Sequence, residues 1–362
     1  MENYRYNLFR RRTDKIKVGK LYIGGDSPIS VQSMTNTPTE DFEATLAQVR
    51  ALEDVGCDIV RMAIPSLEAV RTIYKLKVAG VKSALVADIH FDYRLALESA
   101  EAGIDKIRIN PGNIGENAKI KAVADKCASL NIPIRIGVNS GSVDKKILAK
   151  HGGATAEALA ESALENIALL EQYDFNKIIV AVKSSDVRRM IQANRIVAES
   201  CSYPMHIGVT EAGSDKSGSI KGAVGIGALL ADGIGDTLRV SLTADPTTEI
   251  KRGREILSAL GLDVKSLVNI VSCPTCGRTK VDMMNTVSRL EDRIEEIKVT
   301  RPITVAVMGC AVNGPGEASE ADIGIAGGDG EFLLFKKGQK IRKLSAENAV
   351  DELIKEINSS QI

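Results

Sequence analysis

The stretch that decides the fold is EDVGCDIVRMA, residues 53–63, in which a helix end and a glycine lead into a β-branched strand. The pattern returns as AEAGIDKIRIN at residues 100–110 and, with one extra residue, as LADGIGDTLRVS at residues 230–241. In each copy an arginine stands within the strand: Arg61, Arg108 and Arg239. Repeated helix–glycine–strand units predict right-handed crossovers and a parallel sheet.

Outward from this repeat, eight β-branched runs alternate with helical patterns between about residues 29 and 260. Eight such units fit an α/β fold of the (β/α)8 TIM-type barrel better than an open sheet, and we assign residues 1–263 to that barrel. The longest connection without a predicted element is 139–153, after the fifth strand. Long loops at that end of a barrel are commonly functional.

After Gly261 the pattern changes, and residues 264–362 are predicted to form a second, small α/β domain. This part holds the only Cys-x-x-Cys motif, a glycine-rich hairpin near residues 327–330, and a final helix over about 345–357.

Composition excludes several classes of protein. Lys+Arg and Asp+Glu are both 47, so the chain lacks the basic excess expected of a nucleic-acid-binding protein. No apolar run approaches the roughly 18 residues of a membrane span, and no apolar segment follows the basic N-terminus. Six cysteines in 362 residues do not make a disulfide scaffold. We therefore expect a cytoplasmic protein that binds neither nucleic acid nor membrane.

Cations recur at matching places on the predicted strands. Four strands carry an arginine between apolar residues and a fifth ends in a lysine: Arg61, Arg108, Arg135, Arg239 and Lys183. Inward-facing polar residues near the carboxyl ends of barrel strands converge on one site, so this set predicts a phosphate or diphosphate ligand. The ionisable non-cations at these strand ends, Asp88, His90 and Glu211, are candidates for proton transfer or for ion pairing.

The small domain carries three cysteines at the spacing of a metal site. Cys273 and Cys276 lie in SCPTCGR, and Cys310 lies in MGCAVNGPGEA, where Glu317 is the candidate fourth ligand. An iron–sulfur cluster, a zinc ion and a dithiol redox pair are all compatible with this set. The scarcity of histidine disfavours zinc, and a cluster with one non-Cys ligand leaves one iron open to chemistry.

Eight motifs together resemble the family of 4-hydroxy-3-methylbut-2-enyl diphosphate synthases, in its two-domain bacterial form. They are VQSMTNTPT, ADIHF, RINPGNIG, RIGVNSGS, GVTEAG, RVSLT, SCPTCGR and GCAVNGPGEA, and they run in order from about residue 30 to 318. The resemblance implies an oxidoreductase of the methylerythritol phosphate pathway. It would reductively open and dehydrate 2-C-methyl-D-erythritol 2,4-cyclodiphosphate with two electrons from flavodoxin or ferredoxin.

The resemblance also implies a role for each candidate residue. A [4Fe–4S] cluster would be held by Cys273, Cys276, Cys310 and Glu317. Substrate would be bound by Arg61, Asp88, His90, Arg108, Asn110, Arg135, Asn139, Lys183, Arg239 and Ser241. Glu211 would donate a proton, and Glu317 would take part in catalysis at the cluster.

Two other functions fit the same residues. One is a phosphate-binding barrel enzyme of the pteroate-synthase type with a structural zinc module, and the other is a non-catalytic electron carrier. The chain connectivity places the start of the small domain at the end of the barrel opposite the cations. We therefore expect a head-to-tail homodimer in which each small domain caps the partner's barrel.

Overall fold

The computed structural model describes residues 10–263, 267–299, 301–310, 316 and 318–359. The chain divides into two compact units, Met1–Asp263 and Val264–Ile362. Among the described residues, no helix is long and apolar enough to cross a membrane.

The first unit is a parallel barrel, which confirms the predicted (β/α)8 fold. Its hydrogen-bonded strand order is β8-β7-β6-β5-β4-β3-β10-β9, and a parallel bridge from Val180 to Met205 joins the two ends. The strands are β3 (Ser30–Met34), β4 (Ile59–Ala63), β5 (Ala84–Asp88), β6 (Lys106–Ile109), β7 (Ile134–Asn139), β8 (Ile178–Lys183), β9 (His206–Ile207) and β10 (Thr237–Leu238).

Helices surround the barrel and cover its outer face. They are α1 (Phe42–Asp54), α2 (Leu67–Val78), α3 (Tyr93–Glu101), α4 (Pro111–Ile114), α5 (Asn117–Ser129), α6 (Lys145–His151), α7 (Ala156–Glu171), α8 (Val187–Ser200), α9 (Asp215–Ala231) and α10 (Pro246–Ala259). Most begin at an Asp, Ser or Thr side chain that accepts a hydrogen bond from the first turn, as Ser66 does from the Ala69 N–H at 3.2 Å.

The prediction that residues 139–153 form an unstructured connection is wrong. It contains a 3-10 turn at Ser140–Ser142 and then helix α6. Asp144 caps the start of α6 by accepting a hydrogen bond from the Lys146 N–H at 2.7 Å, and Gly152 ends it at φ +70°, a backbone conformation that favours glycine. The sequence therefore contained both helix signals at the two ends of a short helix.

A two-stranded hairpin at the start of the chain closes the amino-terminal end of the barrel. Strands β1 (Ile16–Val18) and β2 (Leu21–Ile23) pair antiparallel. Their buried side chains form one apolar cluster with residues that begin the barrel strands: Ile16, Val18, Ile23, Ile59, Ala84, Val86 and Ile179. Arg10 adds a salt bridge to buried Asp236 at 2.7 Å, just before β10.

The second unit is a five-stranded mixed sheet in the order β11-β12-β13-β14-β15. The strands are β11 (Val268–Ser272), β12 (Ile303–Met308), β13 (Ile323–Gly327), β14 (Glu331–Lys336) and β15 (Gln339–Ser345). The first three are parallel to one another and the last three antiparallel. Helices α11 (Met283–Asp292) and α12 (Ala349–Ser359) contribute to its larger apolar core.

The final helix begins later than the sequence suggests. Ser345 still belongs to β15, and α12 starts at Ala349.

Truncating the hairpin's central side chain tests how much the closure stabilises the barrel. Ile23→Ala removes a fully buried side chain, and we expect the free energy of unfolding to fall by about 2–5 kcal/mol because a cavity remains. Urea unfolding of the full chain measures it. The matched control is Tyr22→Ala on the exposed face of the same strand, expected within about 0.5 kcal/mol of the unchanged protein. Equal losses in both variants would contradict this role of the hairpin.

Candidate active site

The strand period of two places the predicted cations inside the barrel. Ile107 and Ile109 of β6 pack in the outer core with the helices, so Lys106 and Arg108 face the opposite way. Val60, Ile136, Val182 and Leu238 place their neighbours Arg61, Arg135, Lys183 and Arg239 inward by the same rule. The interior therefore carries these six cations: Arg61, Lys106, Arg108, Arg135, Lys183 and Arg239.

Asp88, at the end of β5, is the carboxylate on which the cluster centres. Its Oδ1 accepts a hydrogen bond from Arg108 Nη1 at 2.9 Å, and Arg61 Nε lies 3.6 Å from its Oδ2. His90 Nε2 lies 3.5 Å from the same Oδ2. Burial raises the pKa of Asp88, but the charge of Arg61, with His90 and Arg108, outweighs burial and holds the pKa well below its usual value. Asp88 is therefore an ionised anchor for two guanidinium groups.

Arg239 is held by a carboxylate that the sequence analysis did not identify. Glu249 of α10 receives two parallel hydrogen bonds from it, Nε to Oε2 at 2.9 Å and Nη2 to Oε1 at 3.0 Å. The same buried carboxylate accepts from the Ser33 hydroxyl at 2.6 Å and the Leu242 N–H at 3.0 Å. This bidentate geometry fixes the orientation of the guanidinium. The signal available in the sequence was an acid in the first turn after Asp245-Pro246.

The remaining interior cations have no such anchor. Among the described residues, Arg135 and Lys183 make no ion pair. Burial, followed by the charges of Arg135 and Arg239, lowers the pKa of Lys183 well below its usual value. Six interior cations therefore face two carboxylates, and an anionic ligand compensates such an excess.

Two inward-facing glycines make room for the cations. A Cβ placed on Gly137 would lie 2.6 Å from Arg108 Nε, and one on Gly208 would lie 3.3 Å from Lys183 Nζ. The Arg108 guanidinium thus occupies the space that a side chain on β7 would fill. Neither glycine was identified from the sequence.

The other predicted barrel residues lie at or just beyond strand ends. Asn110 is buried and caps α4, where its Oδ1 accepts from the Gly112 N–H at 3.2 Å. Asn139 ends β7, and Ser241 follows β10. Both are half-buried.

Glu211 stands apart from the cation cluster. It is exposed on the segment after β9, and in the described part of the chain no hydrogen bond or ion pair joins it to a cation. Its backbone has φ +52°, an uncommon conformation for a residue with a side chain. Such outliers concentrate at functional sites. The backbone conformation therefore supports Glu211 as a candidate functional residue, although no contact with the cations does.

In the second unit, the thiols lie at the carboxyl ends of two paired parallel strands. Ser272 pairs with Val307, so Cys273 directly follows β11 and Cys310 follows β12 by two residues. The Gly309 N–H donates to Cys273 Sγ at 3.1 Å, and the Lys280 N–H donates to the Gly309 carbonyl at 3.1 Å. The loop containing Cys276 is thereby tied to the loop containing Cys310.

Cys276 is the exposed thiol of the three. Hydrogen bonds from the backbone and then the side chain of Arg278 lower its pKa, which favours the thiolate that metals bind. The predicted fourth ligand, Glu317, lies outside the described residues.

The donor set fits an iron–sulfur cluster in its chemistry. Within the described ranges, no three His, Cys, Asp or Glu side chains are gathered closely enough to hold a single metal ion. Cysteine is the usual ligand of an iron–sulfur cluster. The three thiols lie on two linked loops, and a backbone N–H is directed at one sulfur, so the type of donor suits such a cluster.

The remaining cysteines are structural. Cys57 and Cys127 are buried in the barrel unit, and burial raises the pKa of each thiol to about 12. Cys201 is half-buried at the end of α8, and its pKa is also raised by burial. These three belong to the first compact unit and pack with its core.

Fold and site together define a TIM-barrel protein with a cation-rich interior and a second unit that presents three cysteines. The family model described as the GcpE TIM-barrel domain matches residues 13–254, and that of the GcpE protein C-terminal domain matches residues 269–359. The chain therefore belongs to the GcpE family.

Relatives with assigned names match nearly the whole chain. A protein of Ruminiclostridium cellulolyticum named 4-hydroxy-3-methylbut-2-en-1-yl diphosphate synthase (flavodoxin) is 59% identical over 349 residues, 96% of this chain and 98% of the relative. A Clostridium perfringens protein of the same name is 55% identical, over 97% of this chain and 99% of its own. Among solved structures, Yersinia pestis dihydropteroate synthase aligns with 68% of this chain and 97% of its own, at 12% identity and a TM-score of 0.49.

Filling the space beside Arg108 tests whether the interior binds a diphosphate. In Gly137→Ala the new methyl group displaces the Arg108 guanidinium from Asp88. One charge-assisted contact is worth about 1.5–3 kcal/mol, so inorganic diphosphate should bind about tenfold or more weakly in calorimetric titration. Gly227→Ala on α9 is the control, because its Cβ meets nothing within 4 Å. Unchanged affinity in Gly137→Ala would remove Arg108 from the ligand site.

Proposed function

We propose that this chain catalyses the reaction of its named relatives, in which 2-C-methyl-D-erythritol 2,4-cyclodiphosphate is reductively opened and dehydrated to 4-hydroxy-3-methylbut-2-enyl diphosphate. The reaction takes up two electrons and releases one water, so it needs an anion site and a redox group. The observation that carries the proposal is the excess of six interior cations over two carboxylates in a barrel whose chain also presents three cysteines.

The barrel's part is to bind and orient the cyclic diphosphate. Its two phosphates match cations from several strands, and Arg61, Arg108, Arg135, Lys183 and Arg239 are assigned to them. The amides of Asn110 and Asn139 and the hydroxyl of Ser241 add neutral hydrogen bonds at the strand ends. Glu249 and Asp88 hold three of the guanidinium groups in fixed orientations, which lowers the entropic cost of binding.

The second unit's part is to hold a [4Fe–4S] cluster on Cys273, Cys276 and Cys310, with Glu317 as the non-cysteine ligand. When bound, the cluster supplies the two electrons that break the ring C–O bond, and flavodoxin or ferredoxin supplies them to the cluster. Glu317 would be the more exchangeable ligand of the four, because a carboxylate binds iron less firmly than a thiolate does.

Proton transfer falls to a group other than Asp88. Its lowered pKa keeps Asp88 ionised at neutral pH, so it cannot serve as a general acid. Glu211 is exposed on the segment after β9 and is the assigned proton donor. His90, between the Asp88 carboxylate and solvent, is assigned to the substrate's binding surface.

Loss of one thiol tests the redox assignment. Cys310→Ser should lose most of its iron and sulfide and its turnover of the cyclodiphosphate, because two thiolates and a carboxylate do not retain the cluster. The measurements are anaerobic iron and sulfide analysis, visible absorption and the turnover assay. Cys201→Ser, at a half-buried thiol on the barrel unit, should keep both cluster and activity. Full iron content in Cys310→Ser would contradict the ligand assignment, and a colourless protein containing zinc would contradict the cluster itself.

We also propose a homodimer in which each cluster unit serves the partner's barrel. The last residue of the barrel unit, Asp263, pairs with Arg254 at 3.2 Å, and Arg254 also pairs with Asp58, just before β4. Asp263 therefore lies at the amino-terminal end of the strands, whereas Asp88 and Lys183 mark the carboxyl-terminal end. The 14-residue helix α10 accounts for this, since it returns along about 20 Å of barrel.

Complementation tests the shared site. Glu211→Ala disables the barrel site and Cys310→Ser disables the cluster, and each variant alone should be inactive. Mixed dimers should regain activity, because one barrel and one cluster unit of the composite sites remain intact together. Sedimentation and subunit-exchange measurements establish that mixed dimers form. Mixed dimers that form and stay inactive would show that each cluster serves its own barrel.

A further inference from the structure

Beneath the proposed diphosphate site, the described part of the barrel interior contains a second set of polar side chains, each with at least one buried polar atom that has no hydrogen-bond partner. Gln32, Lys106 and His206 are fully buried, and Arg135 is 1% exposed. Within the described part of the chain, no hydrogen bond reaches Lys106 Nζ, Arg135 Nε and Nη2, His206 Nε2 or either amide atom of Gln32. We call these four residues the floor set.

The strand pattern places the floor set on the inner face and deep in the barrel. On β6, Lys106 is the inward-facing residue that precedes Arg108. Val31 and Ile207 belong to the outer core, so the adjacent residues Gln32 and His206 face inward. Burial first, and then the charge of Arg135, lower the pKa of both Lys106 and His206. These groups are therefore close enough to influence one another. The apolar layer of Ile59, Val86 and Ile179, sealed by the hairpin, lies at the barrel's amino-terminal end.

The floor set is rich in hydrogen-bond donors and poor in acceptors. The ammonium group of lysine and the guanidinium group of arginine only donate. The Thr237 hydroxyl lies 3.4 Å from His206 Nδ1, and when it donates there, Nε2 carries the proton. The Gln32 carbonyl oxygen is then the single unpartnered acceptor of the four side chains. A water molecule brings two protons to a set with one unpartnered acceptor, so an ion that only accepts matches these donors better than water does.

Charge leads to the same conclusion. Arg135 remains charged in a protein interior and has no carboxylate partner among the described residues. The nearby carboxylate, Asp88, is already engaged by Arg108 at 2.9 Å and Arg61 at 3.6 Å. A buried charge without compensation is strongly destabilising. Neutralisation of Lys106 would relieve one charge and leave that of Arg135.

We propose that Gln32, Lys106, Arg135 and His206 form a binding site for a small inorganic anion of chloride size, resident in the folded protein beneath the diphosphate site, with which it shares Arg135. Its size is limited because the four side chains are almost completely buried and the apolar layer closes the amino-terminal end. The anion supplies the missing acceptor and negative charge, and it holds Arg135 and Lys106 in place under the strand-end cations.

Bromide, a heavier halide with a strong anomalous signal, tests the site directly in the unmodified full chain. Crystals soaked in sodium bromide, without substrate, should show an anomalous peak within hydrogen-bond distance of both Lys106 Nζ and the Arg135 guanidinium. Ordered water there with no bromide peak would overturn the proposal. A peak found only among Arg61, Lys183 and Arg239 would overturn it as well, because the ion would then occupy the diphosphate site.

Thermal unfolding gives an independent measurement. The midpoint should rise by a few degrees when chloride replaces gluconate at constant ionic strength, and Lys106→Met should lose that rise. Lys121→Met, at an exposed lysine of α5, is the control and should keep it. The same chloride-dependent rise in Lys106→Met would overturn the proposal. If Lys106→Met does not fold, the bromide experiment decides, and neither measurement depends on the cluster or the proposed reaction.

Discussion

Positive charge enclosed by a ring of parallel strands is the constraint on which the rest of this structure depends. Burial makes each interior cation expensive, and two carboxylates anchor only some of them. The remaining cations lie inside the barrel with no carboxylate partner among the described residues. The barrel interior therefore carries an excess of positive charge, which an anionic ligand would compensate.

Burial of the surrounding apolar side chains offsets the free-energy cost of these buried charges. Outward-facing aliphatic residues of every barrel strand pack with the helices into one continuous core. The hairpin adds a smaller apolar cluster at the amino-terminal end. Charged side chains are therefore confined to the upper and middle layers of the barrel, where Gly137 and Gly208 leave them space. Rigid packing around them keeps the guanidinium groups oriented before any ligand arrives.

The barrel and its inward cations follow from local sequence because both depend on short-range periodicity. A helix–glycine–strand repeat specifies the crossovers, and a period of two puts Arg108 and Asp88 on the inner face. Glu249 escaped prediction because it reaches the site from a helix, and its bidentate contact with Arg239 exists only in three dimensions. Lys106 resembled an ordinary strand beginning, although its spacing from Arg108 placed it on the same face. The hairpin was not predicted because strands of three residues carry almost no periodic signal.

The hairpin has a consequence for how substrate binds and product is released. Because the hairpin covers the amino-terminal end of the barrel, a ligand reaches the interior cations from the carboxyl ends of the strands and leaves by the same side. Substrate and product cannot pass each other inside. A product molecule that has not yet been released therefore blocks the binding of the next substrate molecule. We expect the product of such an enzyme to be a competitive inhibitor with respect to its substrate.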